Sequence, residues 1–326
     1  MPPSQMTKDD PLAAPAAVPV GLQPPYRPAD RYAFLQSGAT RLRYAWWNAV
    51  GTPRGTVLIL PGRLEFIEKY ATEVVGELLS RGFAVVGFDW RGQGLSDRPL
   101  PDSHKGHIDR FETYLTDLSL FLDTVLIDAP RPVIGLCHSM GGHLFLRSLA
   151  QNGSGPFAGG IVTAPMMGLK RQALLRNVIR LTPPFQAVDR HYLFGTGAFQ
   201  ASKYPFAGNV LTHDERRFRF TADWFEADPR LCLGGPTIGW CRQALRSMTA
   251  ALAPGMLERI DLPILLVSAA QDDLVDPASH PPVVARLRQG ELLTIAGCRH
   301  EVLMETDDIR AQFWVAFDRM AKEICG

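Results

Sequence analysis

The chain contains no apolar run approaching the roughly 18 residues that a membrane-crossing helix requires, so the sequence offers no membrane span. Strong charge of one sign is also missing. A net charge of +1 over 326 residues gives no general attraction to nucleic acid or to an anionic surface, and no nucleic-acid partner is expected. Cysteine is scarce: Cys137, Cys232, Cys241, Cys298 and Cys325 are odd in number and lack C-x-x-C spacing. That pattern predicts reduced thiols, not a disulfide framework or a zinc site. His104 and His107 stand three apart without further residues at metal-ligand spacing, so no metal is expected. Glycines cluster in Asp89-Trp-Arg-Gly-Gln-Gly94, but no Gly-Lys-Ser/Thr follows and no helix starts there. A structural turn is expected in place of a phosphate cradle, and no cofactor is implied. A basic-then-apolar leader is absent too, since Lys8 runs into Asp9 and Asp10; this reads as a cytoplasmic protein.

What is present is a globular composition, 46% apolar and 21% charged, long enough for one large α/β domain. Residues 1–28 are rich in Pro and Ala without periodicity and are expected to be a flexible or draped tail. Arg31 to Ala49 alternates as a hairpin. From there strands and helices alternate. Strands are expected at Gly55–Leu60, Phe83–Phe88, Pro132–Leu136, Gly159–Ala164, Leu262–Ser268 and Glu291–Ile295. Helices are expected at Phe66–Ser80, Ile108–Asp128, Ala278–Arg288 and Asp308–Ile324. Continuous apolar strands between amphipathic helices predict a mostly parallel sheet covered on both faces. The rhythm breaks over residues 166–260, a helical and aromatic insertion in which Thr212-His-Asp-Glu215 reads as a capping box. The expected organisation is therefore a core of 29–165 and 261–326 with a cap of 166–260.

One stretch organises the rest. Pro132-Val-Ile-Gly-Leu-Cys-His-Ser-Met-Gly-Gly142 is a strand, a very tight turn and the start of a helix. A serine at the tip of such a turn is pushed into the open beside a helix N-terminus. The usual Gly-x-Ser-x-Gly has Cys137 in its first position. Serine needs a base in reach, and the base needs an acid to orient it. His300 lies just past the last strand, and Asp272, Asp273 and Asp276 follow the one before it. Asp276-Pro277 reads as a helix cap, and Asp272 is favoured as the acid. The oxyanion donors would be the backbone N–H groups of Met140, after the nucleophile, and of Arg63, in the loop after the Gly55 strand.

With these residues assembled, the chain from about Arg31 to Ile324 resembles the α/β-hydrolase superfamily. Within it the chain is similar to the bacterial lysophospholipase and monoacylglycerol lipase branch of serine hydrolases. The carriers are Pro61-Gly-Arg-Leu-Glu65, Asp89-Trp-Arg-Gly-Gln-Gly-Leu-Ser96, His138-Ser-Met-Gly-Gly142, Asn209-Val-Leu-Thr-His213, Gly234-Gly-Pro-Thr237, Asp272-Asp-Leu-Val275 and Gly297-Cys-Arg-His300. The resemblance implies an α/β-hydrolase fold with a helical cap, Asp272 as the acid, and hydrolysis of the acyl ester of a single-chain lipid. A monoacylglycerol lipase or general carboxylesterase, an acyltransferase, an aminopeptidase on the same triad and a non-catalytic sensor are the alternatives. The cap opens with a basic amphipathic stretch carrying Arg176 and Arg180. These two are expected to meet a lipid head group or a membrane surface, giving peripheral membrane contact through the cap.

Overall fold

A computed structural model describes residues 10–22, 25–200 and 204–326. Eight strands form one sheet. They are β1 (Arg31–Ser37), β2 (Thr40–Trp47), β3 (Gly55–Leu60), β4 (Phe83–Phe88), β5 (Val133–His138), β6 (Phe157–Thr163), β7 (Ile264–Ala269) and β8 (Gly290–Ile295), in the order β1-β2-β4-β3-β5-β6-β7-β8. Only the hairpin is antiparallel, β1 to β2 and β2 to β4; every later pairing is parallel. β3, β4, β5 and β7 are buried along their whole length, which is why they read as unbroken apolar runs.

The helices are α1 (Ile67–Ala71), α2 (Val74–Ser80), α3 (Phe111–Thr124), α4 (Met140–Asn152), α5 (Gln172–Leu181), α6 (Gln186–Asp189), α7 (Glu215–Ala227), α8 (Ile238–Ala251), α9 (His280–Val284) and α10 (Asp307–Cys325). Two apolar clusters, one on each side of the sheet, form the core. The helix expected over Phe66–Ser80 is broken in two. The Thr72 hydroxyl turns back to the Glu68 carbonyl at 2.9 Å, and Glu73 leaves helical geometry, the usual effect of such a back-bond. The helix of the capping box also starts later than expected. Asp214 caps α7 by accepting from Arg217 N at 2.9 Å, while Thr212 donates to the Met304 carbonyl instead.

Two segments depart from their expected organisation. Within the span expected to be cap, α8 lies against α3 and α4, and Trp240, Cys241, Ala244 and Met248 are part of the core. The described part of the Pro/Ala-rich segment is not loose. Ala13, Leu22 and Tyr26 are buried. The Ala13 carbonyl accepts from Arg43 Nε at 2.7 Å, Ala16 N donates to Asp228 at 2.8 Å, and Tyr26 stacks edge-on against Trp224. No periodicity announces this, because single apolar residues and main-chain groups make the contacts one at a time. Residues 1–9 lie outside the described residues. The segment joins sheet and cap, so deleting residues 1–28 should lower the melting temperature by more than about 5 °C; calorimetry showing a shift under about 2 °C would mean the contacts contribute nothing.

Candidate active site

Ser139 lies between β5 and α4 at φ 49° and ψ −113°, a left-handed conformation that a non-glycine residue adopts only when the surroundings force it. The force is packing. A Cβ on Gly141 would stand 2.1 Å from the Leu60 carbonyl oxygen, and one on Gly62 would stand 3.2 Å from Ser139 Cβ. The first turn of α4 therefore presses directly on the end of β3, and only glycine fits.

The hydroxyl of Ser139 lies 3.0 Å from His300 Nε2, and His300 Nδ1 lies 2.6 Å from Asp272 Oδ2. With the ring proton on Nδ1, the imidazole donates to Asp272 and accepts from Ser139. The other Asp272 oxygen accepts from Leu274 N at 2.8 Å and Val275 N at 2.9 Å. Burial pushes the Asp272 carboxyl up, but the His300 hydrogen bond and charge together with the two amides outweigh it, so the group sits below its ordinary range. It is a fixed anion at neutral pH. Of its competitors, Asp273 faces solvent and Asp276 caps the short turn after it by accepting from Ala278 N. The ring of His138 packs 4.7 Å from that of His300 while its Nδ1 is held by Thr163. Burial lowers its pKa to about 4, so it adds no charge beside the base.

The Arg63 and Met140 N–H groups take part in no recorded backbone hydrogen bond among the described residues. Met140 directly follows Ser139, and a Cβ on Gly62, the residue before Arg63, would stand 3.2 Å from Ser139 Cβ. The loop that carries Arg63 is clamped by residues that sequence reasoning passed over as an ordinary turn. Trp90 Nε1 donates to the Pro61 carbonyl, Gln93 Nε2 to the Gly62 carbonyl, and the Leu64 N–H donates back to Gln93 Oε1. From the other side Glu65 accepts from Gly62 N and Tyr70 at 2.6 Å each, and from Lys69 at 2.8 Å. Burial raises the Glu65 carboxyl, but Lys69 and these donors bring it down to about 2. Lys69 also donates to Glu301 at 2.6 Å, tying the loop that bears Arg63 to the residue after His300. The i,i+4 spacing of Glu65 and Lys69 was the one sequence signal for this network.

Ser139 opens into a cavity of about 300 Å³ whose wall is mainly apolar, with Leu169, Phe199, Leu211, Phe218, Trp240 and Leu274 among its residues. Arg176 and Arg180 are not brought to this cavity; they stand exposed on α5.

The family profile described as "Serine aminopeptidase, S33" matches residues 51–307. The chain belongs to this α/β-hydrolase family. The chain is similar to Lysophospholipase L2 of Escherichia coli, 33% identical over 302 residues that cover 88% of this chain and 85% of that protein. Probable lysophospholipase L2 of Haemophilus influenzae is 27% identical over 280 residues, 84% of this chain and 87% of that one. Among solved structures, a soluble variant of monoglyceride lipase from Saccharomyces cerevisiae superposes with a TM-score of 0.68 at 18% identity, covering 90% and 95% of the two chains. The fold expected from the sequence is thus the fold of the family, and the chain is a serine ester hydrolase.

The clamp on the oxyanion loop generates a test. Gln93→Leu removes both bonds to the loop without opening a cavity, and it should cut kcat on a short ester by about 10- to 100-fold, the scale of a misplaced oxyanion donor. The melting temperature should move by no more than a few degrees. Unchanged kcat would mean that Gln93 does not position the loop.

Proposed function

We propose that this hydrolase cleaves the acyl ester of a single-chain phospholipid through an acyl-enzyme on Ser139. The observation that carries the reading is the hydrogen-bonded array Ser139–His300–Asp272 at the mouth of an apolar cavity. Ser139 attacks the acyl carbonyl as His300 Nε2 takes its proton. The N–H groups of Arg63 and Met140 hold the oxyanion, and Asp272 stabilises the imidazolium that forms. Collapse of the tetrahedral species breaks the ester bond, and His300 returns the proton to the leaving alcohol. Water then repeats the sequence on the acyl-enzyme and releases the fatty acid. The apolar wall suits an acyl chain. The substrate class also draws on the lysophospholipases among its relatives.

A peptidase on the same residues would need a free carboxylate for the substrate's amino group. The carboxylates of the cavity wall are Glu65 and Glu301, and Lys69 engages both. The acids of α7, Glu215, Asp223 and Glu226, are not part of that wall. This favours ester over peptide.

The outer cap supplies an interface. No helix among the described residues is long and apolar enough to cross a membrane. Leu174, Leu181 and Phe185 are 61%, 81% and 67% exposed, beside Arg176 and Arg180 on the same helix and its exit. Exposed apolar side chains next to cations fit contact with an anionic lipid surface, which brings substrate to the cavity mouth.

Ser139→Ala should abolish hydrolysis of a lysophospholipid, by roughly a millionfold, with an unchanged circular dichroism spectrum. Activity within tenfold of the native protein would remove Ser139 from the chemistry. Asp272→Asn should lose about ten-thousandfold and Asp273→Asn less than about threefold in the same assay. The opposite ranking would transfer the orienting role to Asp273.

A further inference from the structure

The acyl-transfer chemistry leaves two features unused: the Gly234-Gly-Pro-Thr237 motif and the side chain of Arg63. They meet in space. The Arg63 guanidinium stands in the wall shared by the catalytic cavity and a second cleft, formed by residues 195–200 of the cap and 233–236. Its Nη2 donates to the Gly234 carbonyl, and its carbon lies 5.4 Å from the centroid of Trp240. The glycines are required where they stand. A Cβ on Gly234 would fall 2.4 Å from the Gly197 carbonyl oxygen, one on Gly235 would fall 2.3 Å from Thr196 Oγ1, and one on Gly106 would fall 2.7 Å from Arg63 Nη2.

The cation is short of partners. Its Nε is buried without a hydrogen bond. No ion pair joins it to a carboxylate among the described residues; the titratable side chains that bear on it are the thiol of Cys241 and the phenols of Tyr204 and Tyr114. Buried arginines elsewhere are matched, whereas Arg63 is half-buried: Arg43 pairs with Glu68 and Asp89, Arg217 with Glu73, Arg310 with Glu77. Among the described residues Arg98 pairs with no carboxylate either, but it is filled by the carbonyls of Gly92, Gly94, Arg230 and Leu231. Burial alone pushes the Arg63 guanidinium below its ordinary pKa, though far from the point of losing its proton at neutral pH. An unmatched guanidinium in a low-polarity wall is costly to keep. It recovers that cost when a forked, charge-assisted hydrogen-bond acceptor such as phosphate arrives.

We propose that Arg63 is the anion subsite of this enzyme, its guanidinium taking the phosphate of a single-chain phospholipid whose head group occupies the second cleft. The proposal rests on the lysophospholipase reading above. One residue then addresses both ends of the reacting unit. The main-chain N–H of Arg63 faces the oxyanion at the acyl carbon, and its side chain faces the phosphate at the far end of the glycerol. Gly234 aims the guanidinium, which gives the glycine motif of the cap a function.

The test compares kcat/KM for a lysophospholipid and for the monoacylglycerol of equal chain length. The native protein should favour the lysophospholipid. Arg63→Gln should reduce that ratio about 30-fold, within the range for a hydrogen bond to a charged group, with the change in KM. Arg63→Lys, which keeps the charge and loses the fork, should reduce it less. A non-hydrolysable ether analogue of the lysophospholipid should lose competitive affinity for Arg63→Gln in parallel, so the result does not depend on turnover. Equal rates of the native protein on the two lipids would overturn the lysophospholipase reading itself. A native preference that survives in Arg63→Gln, with an unshifted melting temperature, would overturn the subsite alone. So would its loss in the double variant Arg176→Gln/Arg180→Gln, which would place the anion contact on α5. Inorganic phosphate should inhibit only at concentrations at least 100-fold above those of the ether analogue; equal potency would make a free anion the ligand and contradict the head-group assignment.

Discussion

The contact on which the site depends is the pressing of α4 against the end of β3. With no Cβ at Gly141, the turn can bring Ser139 into a left-handed conformation 3.0 Å from His300 Nε2. The strain at one residue is small, on the order of 1–3 kcal/mol. It is carried by a sheet whose central strands are fully buried. The same closeness sets the loop bearing Arg63, the proposed oxyanion donor, beside the serine, since a Cβ on Gly62 would stand 3.0 Å from His138 and 3.2 Å from Ser139. Nucleophile, base and electrophilic donors therefore share one packing solution, and a change in any of the three contacts moves them all.

Around that solution the protein spends buried charge. Glu65, Lys69 and Glu301 form one network beneath the loop; Arg43, Glu68 and Asp89 form a second behind it. Asp89 also accepts from the Ile67 and Leu95 N–H groups, so the second network fixes α1 and the β4 loop together. Such networks add little net stability over apolar packing, but breaking one by removing a single partner costs about 3–5 kcal/mol. Their value here is geometric. The first holds the loop that bears Arg63 from one side while Trp90 and Gln93 hold it from the other, and a loop held that firmly can present a preorganised N–H group.

The alternation of apolar runs with helical periods made the sheet legible, because buried parallel strands have no polar face to disguise them. The turn around Ser139 and the His300 position were legible for the same reason: both fall at strand ends. Asp272 was favoured as the acid with the help of the resemblance, because spacing alone does not carry side-chain direction after β7. Two things were not legible. The docking of residues 10–22 depends on isolated contacts with Arg43 and Asp228, residues distant in sequence. The role of Gln93 was hidden because its partners are main-chain groups of Gly62 and Leu64, and main-chain partners leave no trace in side-chain pattern. Arg176 and Arg180 drew attention through charge, whereas among the described residues the cation of the cavity wall without a carboxylate is Arg63.

The central claim is that one activated serine, Ser139, carries the acyl group. Its most direct test is peptide mapping after treatment with a fluorophosphonate. A single phosphonyl adduct on the Ser139 peptide, formed rapidly in the native protein and at least about a thousandfold more slowly in His300→Ala, is the predicted result. An adduct on another residue, or equal labelling rates with and without His300, would contradict it.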